Sequence, residues 1–537
     1  MRGLMQDRAL DVATLMRRAE GTFGHKRVIT ATAAGEVVAS WADVVRRARR
    51  LAGVLDLLGV LPGARVGTFG WNSQRHLELY LAVPSAGRVL HTLNHRLFAA
   101  DLAYIVADAA DDVLFVDRSL LPTVWPMMAD LGTVRHVVVM ADDENEEIPD
   151  DPRVLDYEAL LAEVTGPVAA AAVAEDDAAS LCYTSGTTGR PKGVLYSHRS
   201  IVLHTLVLLG ADTFAISERD VVMPIVPMFH VDAWGLPYAA AMAGADLVLP
   251  GPRTSPDALA SQLTRHGVTF AAAVPAIWRG LEPLLPKLDL SSLRMAVSGG
   301  SALPVSLSWA YEESAGVTLS GSWGMTETSP LVTCARPATA HDGLDAAARR
   351  EILCSPGRAV PLTELRLVDG EGRIVAHDGA TPGEVQVSGP TIASGYFGAS
   401  AQESNLTDDG WLRTGDIGTI DKDGYLRIVD RTKDLVKSGG EWISSVTLEN
   451  EIMAHADVRE AAVVAVPDDR CGERPLAFVV VAPGQTLTTE NLQAHLAGRV
   501  ASWWVPDEFR FVGEIPKTAT GKFAKATLRQ QIIRADS

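Results

Sequence analysis

The sequence predicts a layered α/β protein in which a large N-terminal region is followed by a smaller α+β module. Three features carry that expectation. Short apolar, strand-like runs alternate with helix-period segments, Asp/Gly turns separate further strand-like runs, and the pattern changes after Asp430.

Residues 41–59 space their apolar side chains at helical intervals and stop at Gly59. The stretches 64–70 and 111–117 read as buried strands, with helices at 73–83 and 99–107 between them. Strand-like runs recur at 135–140, 221–227, 246–250, 268–274 and 293–300, and 256–266 reads as a helix. Spacing alone leaves the strand order open. The acidic stretch ADDENEEIPDDPR is read as a solvated loop, because no flanking turn resembles a calcium site. DGEGR at 369–373 and DKDGY at 421–425 place turn formers between strand-like runs and predict hairpins. Beyond the Asp430–Arg431 boundary, 446–454, 489–500 and 522–533 read as helices and 461–466 and 476–482 as strands. The expected division is therefore 1–430 and 431–537.

A chain of 537 residues with 47% hydrophobic content can bury substantial cores, and such a length suggests about three or four domain-sized units. The formal charge of −18, from 66 acidic and 48 basic residues, argues against nucleic acid as a partner. Small anions are not excluded, since local cations and amides can oppose the net field. Cys182, Cys334, Cys354 and Cys471 are widely separated and lack CxxC spacing, which points to a reducing, cytoplasmic setting; peripheral contact with a membrane stays open. The first 21 residues interrupt their apolar positions with Arg and Asp, unlike a secretory segment. No apolar stretch is long enough to make a transmembrane segment.

The most informative segment is YTSGTTGRPKGV at 183–194. Gly186, Gly189 and Gly193 permit close backbone approach, while Thr184, Ser185, Thr187 and Thr188 offer hydroxyls and Arg190 and Lys192 add positive charge. This composition suits a polyphosphate cradle. It is not a Walker A loop, because Pro191 precedes Lys192 and Gly193 follows it. A polar turn with no ligand would share the glycines and hydroxyls, so the other motifs decide between the two.

Those motifs are SWGMTETSP at 322–330, RTGDIG at 413–418, DRTKDLVKSGGEWIS at 430–444 and PKTATGK at 516–522. Together with the 183–194 loop they make the chain resemble, over almost its whole length, the adenylate-forming superfamily of acyl-CoA synthetases, nonribosomal-peptide adenylation domains and luciferases. VPMFHVDAWGLPYA at 226–239 and KSGGEWISS at 437–445 are most similar to bacterial medium- and long-chain fatty acyl-CoA synthetases, with a related branch that acts on methylthiopropionate. The resemblance implies an N-terminal region of two subdomains and a β-barrel-like part, followed by a small mobile lid. It also implies an ATP-dependent acid–CoA ligase that forms acyl-AMP and pyrophosphate, then acyl-CoA and AMP, with Mg²⁺ and with coenzyme A as co-substrate. The carboxylic acid expected from the branch is a medium- or long-chain fatty acid. Methylthiopropionate–CoA ligation and loading of a carrier protein are the alternatives. A nucleotide-sensing interaction protein would share ATP binding without acid-dependent release of pyrophosphate. Members of this branch often pair as homodimers through the N-terminal region, but no separate pattern here marks an interface.

By the same resemblance, Thr184 and Glu327 would place Mg²⁺ and phosphate, and Thr326 would touch the α-phosphate. Thr184, Ser185, Gly186, Thr187, Thr188, Gly189 and Lys192 would hold the departing pyrophosphate. Trp323 and Gly324 would lie at adenine; Trp323 stands where many members carry Tyr, so the hydroxyl's hydrogen bond cannot be carried over. Asp416 would accept from the ribose hydroxyls, with Arg431 as its cationic companion. Lys522 is the main catalytic assignment, a flexible ammonium able to bridge the acyl carboxylate and the α-phosphate, alongside Thr184 and Glu327. Asp430 would be the hinge with Lys433 at the pivot, while Lys437, Ser438, Gly439, Gly440, Glu441 and Trp442 would face the pantetheine arm. His230, Trp234, Gly299 and Gly300 would line the acyl pocket. Cys182 is assigned to packing, and Lys517 and Lys525 to the surface. His91 and His95 have helical i,i+4 spacing but no third ligand, and His198 and His204 likewise lack a ligand set.

Overall fold

The computed structural model describes residues 3–142, 146–166, 168–184, 190–398, 405–438, 441–468, 470–517 and 523–535; for Glu441, Trp442 and residues 533–535 the description covers the backbone alone. Among the described residues the strands form three sheets. The first runs in the order Val154–Asp156, His136–Met140, Asp111–Asp117, Arg65–Phe69, Val89–Thr92, Ala178–Tyr183, Gly193–Ser197. All its pairings are parallel except the last, where Gly193–Ser197 returns antiparallel to Ala178–Tyr183. Strands such as Val89–Thr92 are buried on both faces, which explains why the sequence shows continuous apolar runs there instead of alternation.

The second sheet changes character along its thirteen strands. Asp246–Leu249, Val221–Pro224, Phe270–Ala273, Met295–Ser298 and Leu319–Gly324 form its parallel core. Leu319–Gly324 is the joint: it pairs in parallel with Met295–Ser298 and antiparallel with Leu331–Cys334. From there the sheet continues antiparallel through Gly357–Ala359, Tyr425–Arg431, Leu412–Ile420, Gly383–Ser388 and Glu364–Val368. This is the β-barrel-like part, open at Glu364–Val368 among the described residues. The first two sheets share one core in which Phe115 and Val138 of one and Leu247 and Phe270 of the other join the helices Val12–Phe23, Trp41–Leu57 and Gln74–Ser85. A shared, close-packed core fixes the strand ends of both sheets relative to each other.

The smaller α+β domain is built on Val436–Ser438, Glu441–Ile443, Val458–Asp468, Gly472–Val481 and Glu508–Phe511. Alternate residues of Val458–Asp468 serve opposite faces. Val463 joins Leu448, Ile452 and Leu492 on one side, while Ala462 and Val464 meet Leu528 and Ile532 on the other. The last strand of the large sheet ends at Arg431 and the first of the small sheet begins at Val436, so the connection between the two is short.

Some expected elements differ in extent. The helix expected at 489–500 ends at Leu496, and Gly498 follows in the left-handed region at φ +78°. The helix expected at 522–533 is Lys525–Ala535. His91 and His95 do not share a helix: His91 lies on Val89–Thr92, bonded through Nδ1 to Asp111 at 2.8 Å, and His95 packs its ring 4.4 Å from that of Trp71. No described helix is long and apolar enough to cross a membrane.

Candidate active site

A cavity of about 690 Å³ opens where the ends of the two large sheets meet the start of the small domain, the position that open α/β sheets reserve for ligands. It brings together Thr184 and Lys192, His230 and Trp234, Gly299 and Gly300, Trp323, Gly324, Thr326 and Glu327, and Arg431 and Lys433. These come from five separated motifs of the sequence.

The 183–194 loop is anchored at its base. Thr184 donates its backbone N–H to the Lys192 carbonyl at 2.9 Å, and its hydroxyl accepts from the Lys192 N–H at 3.2 Å. The Tyr183–Gly193 pairing continues this ladder down the hairpin. Ser185, Gly186, Thr187, Thr188 and Gly189, all assigned to phosphate, lie outside the described residues.

Thr326 and Glu327 occupy a single turn, Thr326–Thr328, just beyond the joint strand. Tyr196 donates its hydroxyl to the Thr326 carbonyl at 2.6 Å, which ties this turn to the hairpin of the phosphate loop. Glu327 is buried, and its Oε1 accepts from the Tyr396 hydroxyl at 2.7 Å. Asn405 donates to the same hydroxyl at 3.1 Å, and the Lys192 ammonium lies 4.8 Å from the Tyr396 ring centre. The backbone of this segment binds both motifs, Ala393 N–H to the Glu327 carbonyl and Phe397 N–H to the Gly193 carbonyl, each at 2.8 Å. Tyr396 and Asn405 were not found from the sequence. The available signal was a tyrosine in SGYFG outside any strand period.

Asp416 does not itself line the cavity, but it organises two residues that do. Its Oδ2 accepts from the Trp323 indole N–H at 2.9 Å, and its Oδ1 lies 3.0 Å from Arg431 Nε. The Arg431 contact follows from register, since Asp416 and Arg431 are direct partners on Leu412–Ile420 and Tyr425–Arg431. Trp323 therefore has a polar partner of its own in place of the absent tyrosine hydroxyl. Gly324 is dictated by sterics: a Cβ there would lie 1.8 Å from the Pro330 carbonyl oxygen.

The remaining wall is a strained turn. Val231, Asp232, Ala233 and Trp234 all have φ between +48° and +57°, followed by Gly235 at +72°. Left-handed backbone costs an L-residue roughly 1–2 kcal/mol, so this turn must be held from outside. Asp232 does so from the buried side, its Oδ1 accepting from Ser180 Oγ at 3.1 Å and from Cys182 Sγ at 3.5 Å. Trp234 lies with its ring edge against Gly299, where a Cβ would sit 2.9 Å from the ring and 2.8 Å from Ser322 Oγ. Gly299 thus makes room for Trp234 while lining the cavity itself. Cys182 is buried beside Thr92 and Asp232, and burial raises its thiol pKa well above the ordinary range. His204 accepts from the Leu331 N–H at 3.4 Å, and burial lowers its pKa to about 3. No cluster of three or more metal-ligating His, Cys, Asp or Glu occurs among the described residues.

Other assigned residues lie away from the cavity or beyond description. Lys437 donates its backbone N–H to Glu473 at 2.7 Å, and Ser438 is buried; neither lines the cavity as described. Glu441 and Trp442 lie on Glu441–Ile443, while Gly439, Gly440 and Lys522 lie outside the described residues. Lys433 lines the cavity, and burial lowers its pKa. Lys517 keeps a partly exposed side chain 2.5 Å from Glu460, as a surface lysine would. The surface assignment of Lys525 is corrected: its side chain is 12% exposed, 2.7 Å from Glu449. Sequence reading missed this because the partner is on a helix distant in sequence.

Comparison with known proteins places these features in a family. The model of the AMP-binding enzyme family matches residues 16–397, and that of the AMP-binding enzyme C-terminal domain matches 447–522. The chain is 48% identical over 533 residues to a long-chain-fatty-acid–CoA ligase of Thermus thermophilus, covering 98% of this chain and 96% of the relative. It is 42% identical over 534 residues to a 3-methylmercaptopropionyl-CoA ligase of Ruegeria lacuscaerulensis, covering 99% of each. Among solved structures, an anthranilate CoA ligase in complex with anthranoyl-AMP superposes with a TM-score of 0.88 at 28% identity, over 99% of this chain and 100% of that one.

Asp232 gives a test of the turn that is independent of any substrate. Burial raises its pKa from the usual 3.8 to about 6, so between those values the folded protein holds a proton that the unfolded chain has released. Its contribution to stability is therefore full below about pH 4 and is lost as pH rises through about 6. Asp232→Asn, which keeps an acceptor for Ser180, is expected to be more stable than the parent at pH 7 by on the order of 1–3 kcal/mol, with the difference vanishing near pH 4. Denaturant melts of both proteins across this range check it; a pH-independent difference would show that ionisation of Asp232 is not what loads the turn.

Proposed function

This chain belongs to the AMP-binding enzyme family and is an ATP-dependent, acid-activating CoA ligase, and from that premise we propose that its acid is a medium- or long-chain fatty acid. The observation that carries this reading is the single cavity in which the phosphate-loop base, the Thr326–Glu327 turn and the apolar wall of Val231, Trp234 and Leu331 meet. The fatty-acid choice is supported by the 48% identity to the Thermus long-chain ligase. The 42% identity to the Ruegeria enzyme supports 3-methylmercaptopropionate as the second reading.

In the first half-reaction a carboxylate oxygen of the acid attacks the α-phosphorus of ATP, an acyl-phosphate bond forms, and the bond to pyrophosphate breaks. Lys192 and the loop based on Thr184 hold the leaving pyrophosphate, and Thr326 steadies the α-phosphate. Trp323 covers adenine, and Asp416 accepts from the ribose hydroxyls while Arg431 balances its charge. Thr184 and Glu327 offer hard oxygens to the same cavity and would hold Mg²⁺. When bound, the ion supplies charge neutralisation for the phosphates. Lys522 bridges carboxylate and α-phosphate as charge redistributes. In the second half-reaction the coenzyme A thiolate attacks the acyl carbonyl and AMP leaves with the electron pair of the broken bond. His230, Trp234, Gly299 and Gly300 hold the acyl part. Rotation at Asp430 exchanges the Lys522 segment for the segment from Lys437 to Trp442, which faces the pantetheine arm.

Three outcomes follow from this scheme. Given ATP, Mg²⁺, coenzyme A and a graded panel of acids, the protein should release pyrophosphate and AMP in an acid-dependent way, with the highest kcat/KM on chains of medium length or longer. A preference for 3-methylmercaptopropionate would select the second reading, and ADP as product would end both. Lys522→Ala should slow acyl-AMP formation at least 100-fold while thioester formation from supplied acyl-AMP falls less than tenfold; equal losses would remove the role given to Lys522. Trp323→Phe keeps an aromatic face but removes the donor to Asp416, a charged hydrogen bond of about 1.5–3 kcal/mol, so KM for ATP should rise about tenfold with kcat within threefold. An unchanged KM would show that the Trp323–Asp416 bond does not shape the nucleotide site.

A further inference from the structure

The connection between the large sheet and the small domain contains a buried charge cluster that acid activation does not use. Asp430 is 1% exposed; its Oδ1 accepts from the Arg431 N–H at 2.7 Å and its Oδ2 from the Ser445 N–H at 2.5 Å. Ser444 donates its hydroxyl to the Val429 carbonyl. The N-terminus of the helix Ser445–Met453 is thereby stapled across the connection to the end of Tyr425–Arg431. Behind the staple stands Lys525, the first residue of Lys525–Ala535, which donates to Ser445 Oγ at 2.6 Å and lies 2.7 Å from Glu449 Oε1. Glu449 is itself fixed by the Val463 N–H at 2.8 Å. One turn further, Arg529 lies 2.5 Å from Asp434 Oδ1 and donates to the Lys433 carbonyl at 3.2 Å. The last helix therefore grips the 430–434 turn from both ends. Burial lowers the pKa of the Lys525 ammonium, but Glu449, Asp430 and Asp434 outweigh that effect and the net shift is upward.

We infer that Lys525 is a positioning residue for the two-step reaction: it fixes Ser445, whose backbone N–H bonds Asp430, and rotation of the small domain at Asp430 must break that Ser445–Asp430 bond. The inference rests on the reading that the two half-reactions use two positions of the small domain. A buried ion pair adds little net stability relative to apolar packing, yet removing one partner is costly, so its effect is to favour one geometry sharply. Held by that pair, the Ser445–Asp430 bond crosses the pivot, and its strength sets how the two positions are populated.

The test compares Lys525→Met, which keeps the stem, with Lys525→Arg, which keeps the charge, in the full-length enzyme. Acyl-AMP formation without coenzyme A and thioester formation from supplied acyl-AMP are measured separately, using the acid the parent prefers. Lys525→Met should change the ratio of the two rates at least tenfold, and Lys525→Arg should return it to within threefold of the parent. A ratio that stays constant in Lys525→Met, whether both rates hold or fall together, overturns the inference. Should Lys525→Met fail to fold, the double substitution Lys525→Met with Glu449→Gln, which leaves no unpaired charge from that pair, is read by the same ratio. Amide exchange of the 425–435 segment, measured without substrates, is a second readout that does not need the acid to be correctly identified. Faster exchange in Lys525→Met is expected and unchanged exchange counts against the inference, whereas a parent that forms no acyl-AMP counts only against the proposed activity.

Discussion

An ATP-dependent, acid-activating ligase of formal charge −18 takes anionic substrates and must keep its own acids from repelling them. The site meets this constraint with a few neighbouring groups. Lys192, Arg190, Arg431 and Lys433 line the cavity, and Glu327 at its wall and Asp416 behind Trp323 and Arg431 each accept from a neutral donor. Glu327 accepts from a tyrosine hydroxyl and Asp416 from an indole N–H, with Arg431 as second partner. The Trp323–Asp416 bond gives the indole, which stands where many family members carry a tyrosine, a polar partner of its own.

Holding these groups in place falls to strand ends and to side-chain bonds between motifs. Thr326 is tied to the phosphate hairpin through Tyr196, and Glu327 to the same hairpin through the 393–397 segment. The left-handed turn at 231–234 is tied through Asp232 to Ser180 and Cys182, on the strand that leads directly into Thr184. The 231–234 turn, the Thr326–Thr328 turn and the base of the 183–194 loop therefore share one set of anchors, so displacement of one is felt at the others.

This arrangement explains what the sequence could reveal. Strand-like runs such as 111–117 are legible because both faces are buried, and residues that meet at the cavity, such as Thr184, Glu327 and Arg431, stand in short local motifs. Tyr396, Asn405 and Asp232 are not legible, since each acts through a partner far along the chain and carries no local signature. Gly299 lines the cavity, but the need for a glycine where the indole edge of Trp234 passes shows only in three dimensions. Lys525 was misread for a related reason: the start of a polar helix gives no hint that Glu449 and Ser445 wait beneath it.

The nature of the connection between the domains follows from the same physics. An apolar contact there would be indifferent to small rotations, because burial is non-directional and scales with area. Hydrogen bonds from Ser445 to Asp430 and from Lys525 to Ser445 weaken steeply with angle and distance, so they distinguish one orientation from its neighbours. Their net contribution is nevertheless small, because the buried charges gave up hydration when they paired. Directional contacts of low net strength define one arrangement and can still release it, which is what the proposed rotation at Asp430 would need.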